Sequence, residues 1–193
     1  PLASGMTRDK RLRLFIDVGT NCELALGSAE RLVCTAAPAG PAFEAAQIRC
    51  GMRAADGAIE VVRIRDDAIE LDVIGDTEPV GICGSGLVDA VAELVGAGLL
   101  DLSGRFVPNE HAAEIAPDLA LRLVAREDGE RIFVLHWPGE VGDVENAVYL
   151  SQRDVRELQF AKASIATGWS LLVQELGIDV SEIQQVLLAG AFG

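Results

Sequence analysis

Asp17-Val-Gly-Thr-Asn21 places a carboxylate, a hydroxyl and a carboxamide around one glycine. It follows Arg11 to Ile16, which alternates and then turns apolar, so it reads as a tight turn at the end of a strand. Backbone N–H groups of such a turn can form an anion-binding nest, and Thr20 and Asn21 add donors. Asp17 cannot face phosphate favourably, but it can hold a water-coordinated Mg²⁺ that does. Gly19, Thr20 and Asn21 are therefore candidate phosphate ligands, and Asp17 is a candidate metal and catalytic residue. An ordinary hairpin turn would use the same residue types, and the motif alone leaves both readings open. The turn is no Walker loop: no GxxxxGK[ST] occurs, and the only lysines are Lys10 and Lys162. It is no dinucleotide fingerprint either, because the glycine leads into a strand and not a helix.

Further candidates lie along the chain. Gly84-Ser85-Gly86 precedes a helical stretch, where small residues let backbone approach a ligand and the helix start favours an anion. Close packing of helix on strand would also select these residues. Leu188-Ala-Gly-Ala-Phe-Gly193 is a strand ending in two glycines. Its Gly190, Ala191, Phe192 and Gly193 can admit a flat ring against backbone, or form a plain strand-end turn. Glu44, with Gln47 three residues on, is a candidate general base or water-positioning group; a solvated surface glutamate is the simpler reading. Cys22, Cys34, Cys50 and Cys83 show no CxxC spacing and read as reduced structural thiols. His111 and His136 are isolated and read as satisfied or exposed structural residues.

The elements that must position these groups follow from pattern. Arg11 to Ile16, Glu23 to Leu26 and Arg31 to Thr35 predict a three-stranded antiparallel meander, preceded by a tail or incoming strand over Pro1 to Asp9. A proline-rich loop then leads to a short helix near Phe43 to Cys50. Ala58 to Arg65 and Ile69 to Ile74 predict a strand pair joined through Asp66 and Asp67. These two, with Asp72 and Asp76, read as solvated loop and strand face. Leu87 to Val95 predicts a helix stopped by Gly96 and Gly98. From about Gly104 to Asn146 the pattern weakens to strands at Leu119 to Arg126 and Arg131 to His136, with loop elsewhere. Ser151-x-x-Asp154 resembles a capping box. Behind it Arg153 to Leu176 predicts the longest helix, with Val155, Leu158, Ile165, Trp169, Leu172 and Leu176 on one stripe and Gly177 after its end. Gln185 to Gly193 reads as a buried strand breaking into a glycine turn. A chain closing on such a strand predicts a piece of a longer protein.

Composition narrows the function class. The 193 residues are 50% hydrophobic, enough for a sizeable core, and 16 Lys+Arg against 30 Asp+Glu give a net charge of −14. Such a chain lacks the basic face that nucleic acid requires and is ill suited to an anionic membrane surface. No apolar run reaches the length of a membrane span, and no signal-peptide pattern opens the chain. These features predict a cytoplasmic protein.

Several motifs in order resemble one family. Phe15-Ile-Asp-Val-Gly-Thr-Asn21, Ala39-Gly-Pro-Ala-Phe-Glu44, Cys50-Gly-Met-Arg-Ala-Ala55, Gly81-Ile-Cys-Gly-Ser-Gly-Leu87, Asp154-Val-Arg-Glu-Leu-Gln159 and Leu188-Ala-Gly-Ala-Phe-Gly193 look like the C-terminal half of the reductive activators of corrinoid proteins. The resemblance implies an α/β fold: a ribonuclease-H-like lobe of the actin/Hsp70/sugar-kinase (ASKHA) ATPase superfamily, a mixed sheet with flanking helices. It implies that residues 1–193 form the second of two lobes that hold ATP between them, with a variable insertion at about 104–146. Asp17 to Asn21 would be the second phosphate loop, with Mg²⁺ at Asp17, and Leu188 to Gly193 the start of the adenosine loop. It also implies that ATP drives the uphill one-electron reduction of Co(II) corrinoid to Co(I) on a corrinoid protein partner. The [2Fe–2S] cluster of the full-length family belongs to an N-terminal domain; no C-x₄-C-x₂-C spacing occurs here. Cys22 stands where glycine is expected after Thr-Asn, and Ala46 where a glycine usually follows Phe-Glu-x. Two other readings stay open: a docking or dimerisation module with a degenerate nucleotide site, and a kinase or activator of another system in the same superfamily. A homodimer is compatible with each.

Overall fold

The computed structural model describes residues 3–19, 21–39 and 47–190. The chain divides into two compact units, Pro1–Pro41 with Phe160–Gly193, and Ala42–Gln159.

The first unit is built on a four-stranded sheet. Strands β1 (Arg13–Val18), β2 (Cys22–Gly27) and β3 (Leu32–Ala37) form the expected antiparallel meander. The later strand β10 (Gln185–Gly190) pairs parallel to β1, giving the order β10-β1-β2-β3. Leu14, Leu24, Leu26 and Val18 fill the core of this sheet. The C-terminal part of the long helix Gln152–Leu176 lies on the β2–β3 side, where a Cβ at Gly168 would come 2.9 Å from Leu24 Cδ1. Met6, in a single 3₁₀ turn at Met6–Arg8, is fully buried, so the leading segment is a packed turn and not a strand. Asp9 holds it by pairing with Arg11 and Arg13.

β10 departs from expectation in burial. Its residues alternate half-buried and exposed, with Val186 at 55% and Leu188 at 60%. An apolar run signals a buried strand only if both faces are covered. Here β10 ends the sheet of the described residues, and one face is open.

The second unit holds two three-stranded sheets, β5-β4-β6 and β7-β8-β9. β4 (Ala58–Arg65) and β5 (Ala68–Val73) form the expected hairpin. Asp66 and Asp67 sit at its turn with φ of 49° and 64°, the left-handed pair that a two-residue hairpin requires. Asp67 is no idle solvated residue: its carboxylate accepts from the N–H groups of Asp118 (2.8 Å) and Leu119 (3.4 Å). β6 (Gly81–Ile82) runs parallel to β4 and leads into helix α1 (Gly84–Gly96). That helix starts at Gly84, so both glycines of the motif lie in its first turn and not ahead of it.

Residues 104–146 were expected to be mostly loop. They carry helix α2 (Asn109–Ile115), the short α3 (Pro117–Ala120), β7 (Leu123–Ala125) and β8 (Arg131–His136). The strand expected from Leu119 begins only at Leu123, because Pro117 starts a helical turn instead. β9 (Val148–Ser151), fully buried, was not anticipated; four apolar residues directly before a helix carry too little periodicity to announce a strand. Phe106, Ala112, Leu119, Leu123 and Phe133 join Ile59, Ile82, Leu87 and Leu94 in one core. Of the helix expected near Phe43 to Cys50, residues up to Ala46 lie outside the described residues, and Gln47 to Cys50 form turns and bends.

Helix α4 spans Gln152–Leu176. Its capping box closes as the sequence predicts: Asp154 N–H donates to Ser151 Oγ (3.2 Å), and Ser151 N–H to Asp154 Oδ2 (2.8 Å). Asp154 Oδ1 also accepts from Arg49 N–H at 3.0 Å. The carboxylate is fully buried. Burial pushes its pKa upward, against these backbone donors, with Glu130 adding to the rise. No helix of the described residues is long and apolar enough to cross a membrane.

Candidate functional site

The site grows from the end of β1. Asp17 is half-buried, and Val18 turns back into the core. The chain then reverses: Gly19 N–H donates to Asn21 O at 3.0 Å. This closes the turn and removes that N–H from the donors a phosphate could use. β2 starts immediately at Cys22. Thr20 lies outside the described residues.

The parallel partner brings the second half. Asp17 stands opposite Ala189, and Val18 opposite Gly190. Both strands therefore deliver their C-terminal ends to one place, where open α/β sheets bind ligands. Gly190 has φ of 84°, and a Cβ there would lie 2.2 Å from Val18 O and 2.6 Å from Asp17 Oδ1. Only glycine fits: the left-handed backbone disfavours any side chain, and the carboxylate of Asp17 occupies the space. Two motifs far apart in sequence are thus in direct contact, one offering a carboxylate and the other bare backbone. Ala191, Phe192 and Gly193 lie outside the described residues, as does Glu44.

Glu23 was missed by sequence reasoning. It pairs with Asp17 across β1 and β2, so the two carboxylates share a face of the sheet. Like charges directly opposite are unfavourable, and a divalent cation relieves them. The alternation of β2 could have flagged it, but only once the register with β1 was known. Among the described residues no group of three or more His, Cys, Asp or Glu assembles to hold a metal. The donor set suits Mg²⁺, which keeps most of its waters and takes one or two carboxylates plus phosphate oxygens.

Cys22, the departure noted beside the turn, is fully buried and pairs with Val18. It therefore lies on the core face, opposite to Asp17. Burial raises its thiol pKa, with Glu23 and Asp17 adding to the rise, so it stays a neutral packing group. Cys83 is likewise buried, Cys50 is half-buried and Cys34 is exposed; all four are free thiols, as the spacing predicts. His136 Nε2 lies 2.9 Å from Glu78 Oε1, and His111 is exposed.

Gly84, Ser85 and Gly86 belong to the second unit. Cys83 N–H and Sγ both donate to Ile59 O, at 3.1 and 3.4 Å. A Cβ at Gly86 would come 2.3 Å from the same oxygen. Gly86 is thus required for α1 to lie on β4. Ser85 is exposed, with Oγ 3.3 Å from Cys83 Sγ.

The family model described as the C-terminal domain of RACo, the ASKHA domain, matches residues 11–193. The chain belongs to this family. It is 40% identical over 189 residues to a corrinoid activation enzyme, RamQ, of Eubacterium limosum, covering 98% of this chain and 31% of the relative. A [Co(II) methylated amine-specific corrinoid protein] reductase of Methanosarcina barkeri is 28% identical over 202 residues, covering 93% and 32%. Among solved structures, a reductive activator for corrinoid, iron-sulfur protein superposes with a TM-score of 0.83 at 38% identity, over 100% of this chain and 29% of that one. The RACo-type ASKHA fold is therefore shown, as the resemblance implied. The chain spans about a third of the length of the curated relatives it matches.

Proposed function

We propose that this RACo-type chain is the second lobe of an ATP-dependent activator that drives Co(II) corrinoid proteins to Co(I). The observation that carries the reading is the contact between Asp17 and the bare backbone of Gly190, at the paired C-terminal ends of two parallel strands. Gly190 sets bare main chain against Asp17 where the adenosine loop would begin, and Asp17 supplies the carboxylate that a hydrated Mg²⁺ requires. Asp17 and Glu23 would hold that Mg²⁺ through its water shell. Asn21, with Thr20, would hydrogen-bond phosphate oxygens. Ala191, Phe192 and Gly193 would continue the adenosine wall. Gly84 and Ser85, at the start of α1, and Glu44 are the second unit's own candidates for nucleotide contact and water positioning.

Bound Mg-ATP would supply the free energy that closes the two lobes. Closure assists reduction only by favouring one conformation of the corrinoid protein over another. The names of the M. barkeri and E. limosum relatives, a corrinoid-protein reductase and a corrinoid activation enzyme, support a corrinoid protein as partner. The electron would come from a [2Fe–2S] domain elsewhere in the longer protein.

The test is nucleotide binding and hydrolysis by the full-length protein, with and without Asp17→Asn. The proposal expects Mg²⁺-dependent ATPase activity that falls at least tenfold in the variant, with corrinoid-protein binding retained. Backbone amide shifts on titration with Mg-ADP should cluster at Gly19 to Asn21 and Gly190. Corrinoid-protein binding without any nucleotide binding would favour the docking module instead. An ATPase rate untouched by Asp17→Asn would remove the metal role.

A further inference from the structure

We propose that a groove in the second unit binds a small organic carboxylate with a flat apolar body, and that Arg122 holds the carboxylate. The groove measures about 500 Å³, a size usual for small-molecule sites. It is lined by Leu71 and Val73 of β5, by Leu135 near the end of β8, and by Trp137 and Val141 in the loop that follows. Its walls are therefore mainly apolar, and half-buried Trp137 offers a flat ring face. Arg122, in the short connection between α3 and β7, is the arginine among them. His136 also lines the groove, but its Nε2 already lies 2.9 Å from Glu78 Oε1.

Arg122 is half-buried and held in place by neutral groups. Its Nη1 donates to Val134 O at 3.1 Å and to Leu135 O at 3.0 Å, at the bulge where the register of β8 on β9 shifts. These two bonds orient the guanidinium. They leave Nε and Nη2 without a protein acceptor among the described residues. Those two nitrogens lie along one edge of the guanidinium, and their parallel N–H groups match the two oxygens of a carboxylate. A charge withdrawn from water is normally paired. Arg11, Arg13, Arg31, Arg49 and Arg63 each have a carboxylate partner. Arg122 has none among the described residues, although the chain carries 30 Asp+Glu against 16 Lys+Arg. Burial pushes its pKa down, and no carboxylate opposes that shift. An anion in the groove would supply the missing partner, and the apolar walls would take its body. Inorganic phosphate would use the donors but leave the walls bare, and a hydrocarbon would leave the charge unpaired, so the occupant carries both features. The inference rests on the second unit alone and does not depend on the nucleotide reading.

The test is titration of the full-length protein, labelled with 5-fluorotryptophan, with 4-phenylbutyrate and with its neutral amide. Fluorine NMR follows the Trp137 resonance, assigned by its loss in Trp137→Phe. The carboxylate should shift that resonance with a Kd of about 0.1–1 mM, the range open to a ligand of this size. It should bind about tenfold or more tighter than the amide, the scale of a hydrogen bond between charged groups. Arg122→Gln should abolish that preference. Because Arg122→Gln also releases the bulge carbonyls, Val141, 77% exposed, supplies variants that leave the fold alone. Val141→Glu should weaken the carboxylate about threefold and Val141→Lys strengthen it about as much, the scale of exposed charge pairs. Neither should change the affinity for the amide or the melting curve. A Trp137 resonance that both probes leave unmoved, an amide that binds as tightly as the carboxylate, or Val141 variants that treat both probes alike would each overturn the proposal.

Discussion

Replacing Gly190 by alanine tests the link between fold and site most directly. At φ of 84° an alanine pays the left-handed penalty, about 1–2 kcal/mol. Its Cβ would also sit 2.2 Å from Val18 O and 2.6 Å from Asp17 Oδ1. The first neighbour is backbone and cannot rotate away, so the ends of β1 and β10 must part. Forced overpacking of this kind costs about 1–3 kcal/mol more, for a total of about 2–5 kcal/mol by these two principles. Gly177→Ala separates the two contributions. It has φ of 66°, but nothing lies within 4 Å of its Cβ, so only the conformational cost applies. Hydrogen exchange followed by mass spectrometry on the full-length protein reads opening of the β1 and β10 peptides. Gly190→Ala should speed exchange there by a factor of about 30 to several thousand, and Gly177→Ala should leave those peptides nearly as protected as in the native protein. Because Asp17 must move, the Gly190 variant should also lose ATPase activity that the Gly177 variant keeps. Equal protection of β1 and β10 in the two variants, or full ATPase activity in Gly190→Ala, would refute the argument.

Other consequences follow from the same contacts. Gly86→Ala drives a Cβ to within 2.3 Å of Ile59 O and should cost about 2–4 kcal/mol by lifting α1 off β4, read as a lowered urea midpoint. Asp154→Asn removes a buried charge but keeps only one acceptor for two backbone donors, Ser151 N–H and Arg49 N–H. It should therefore destabilise by about 1–3 kcal/mol at neutral pH. Because burial raises the pKa of Asp154 in the folded chain, the native state binds its proton more readily than the unfolded state does. Its contribution is fully present below the ordinary carboxylate pKa and is lost as pH rises through the raised value. Urea midpoints against pH should show that decline in the native protein and not in Asp154→Asn. Glu23→Gln should weaken the Mg²⁺ dependence of ATPase activity while leaving the fold intact, since Glu23 is exposed; unchanged Mg²⁺ affinity would remove its role.

The sequence by itself determined the local devices. The β1–β3 meander, the β4–β5 hairpin and the capped α4 were all legible, because alternation, turn residues and capping pairs act between neighbours a few residues apart. The Asp17–Asn21 turn was legible for the same reason, and so was the family, through motifs in fixed order. The tertiary structure alone decided what those devices meet. No residue type names a parallel partner, yet β1 pairs with β10, and Leu12 and Gln184, 172 residues apart, share hydrogen bonds. Only that pairing sets Gly190 against Asp17, and only the β1–β2 register sets Glu23 beside it. The core role of residues 104–146 was equally hidden, because short elements of mixed pattern take their form from the surfaces they cover. The open face of β10 was hidden too: an apolar run records that a strand can be buried, and packing decides which of its faces is.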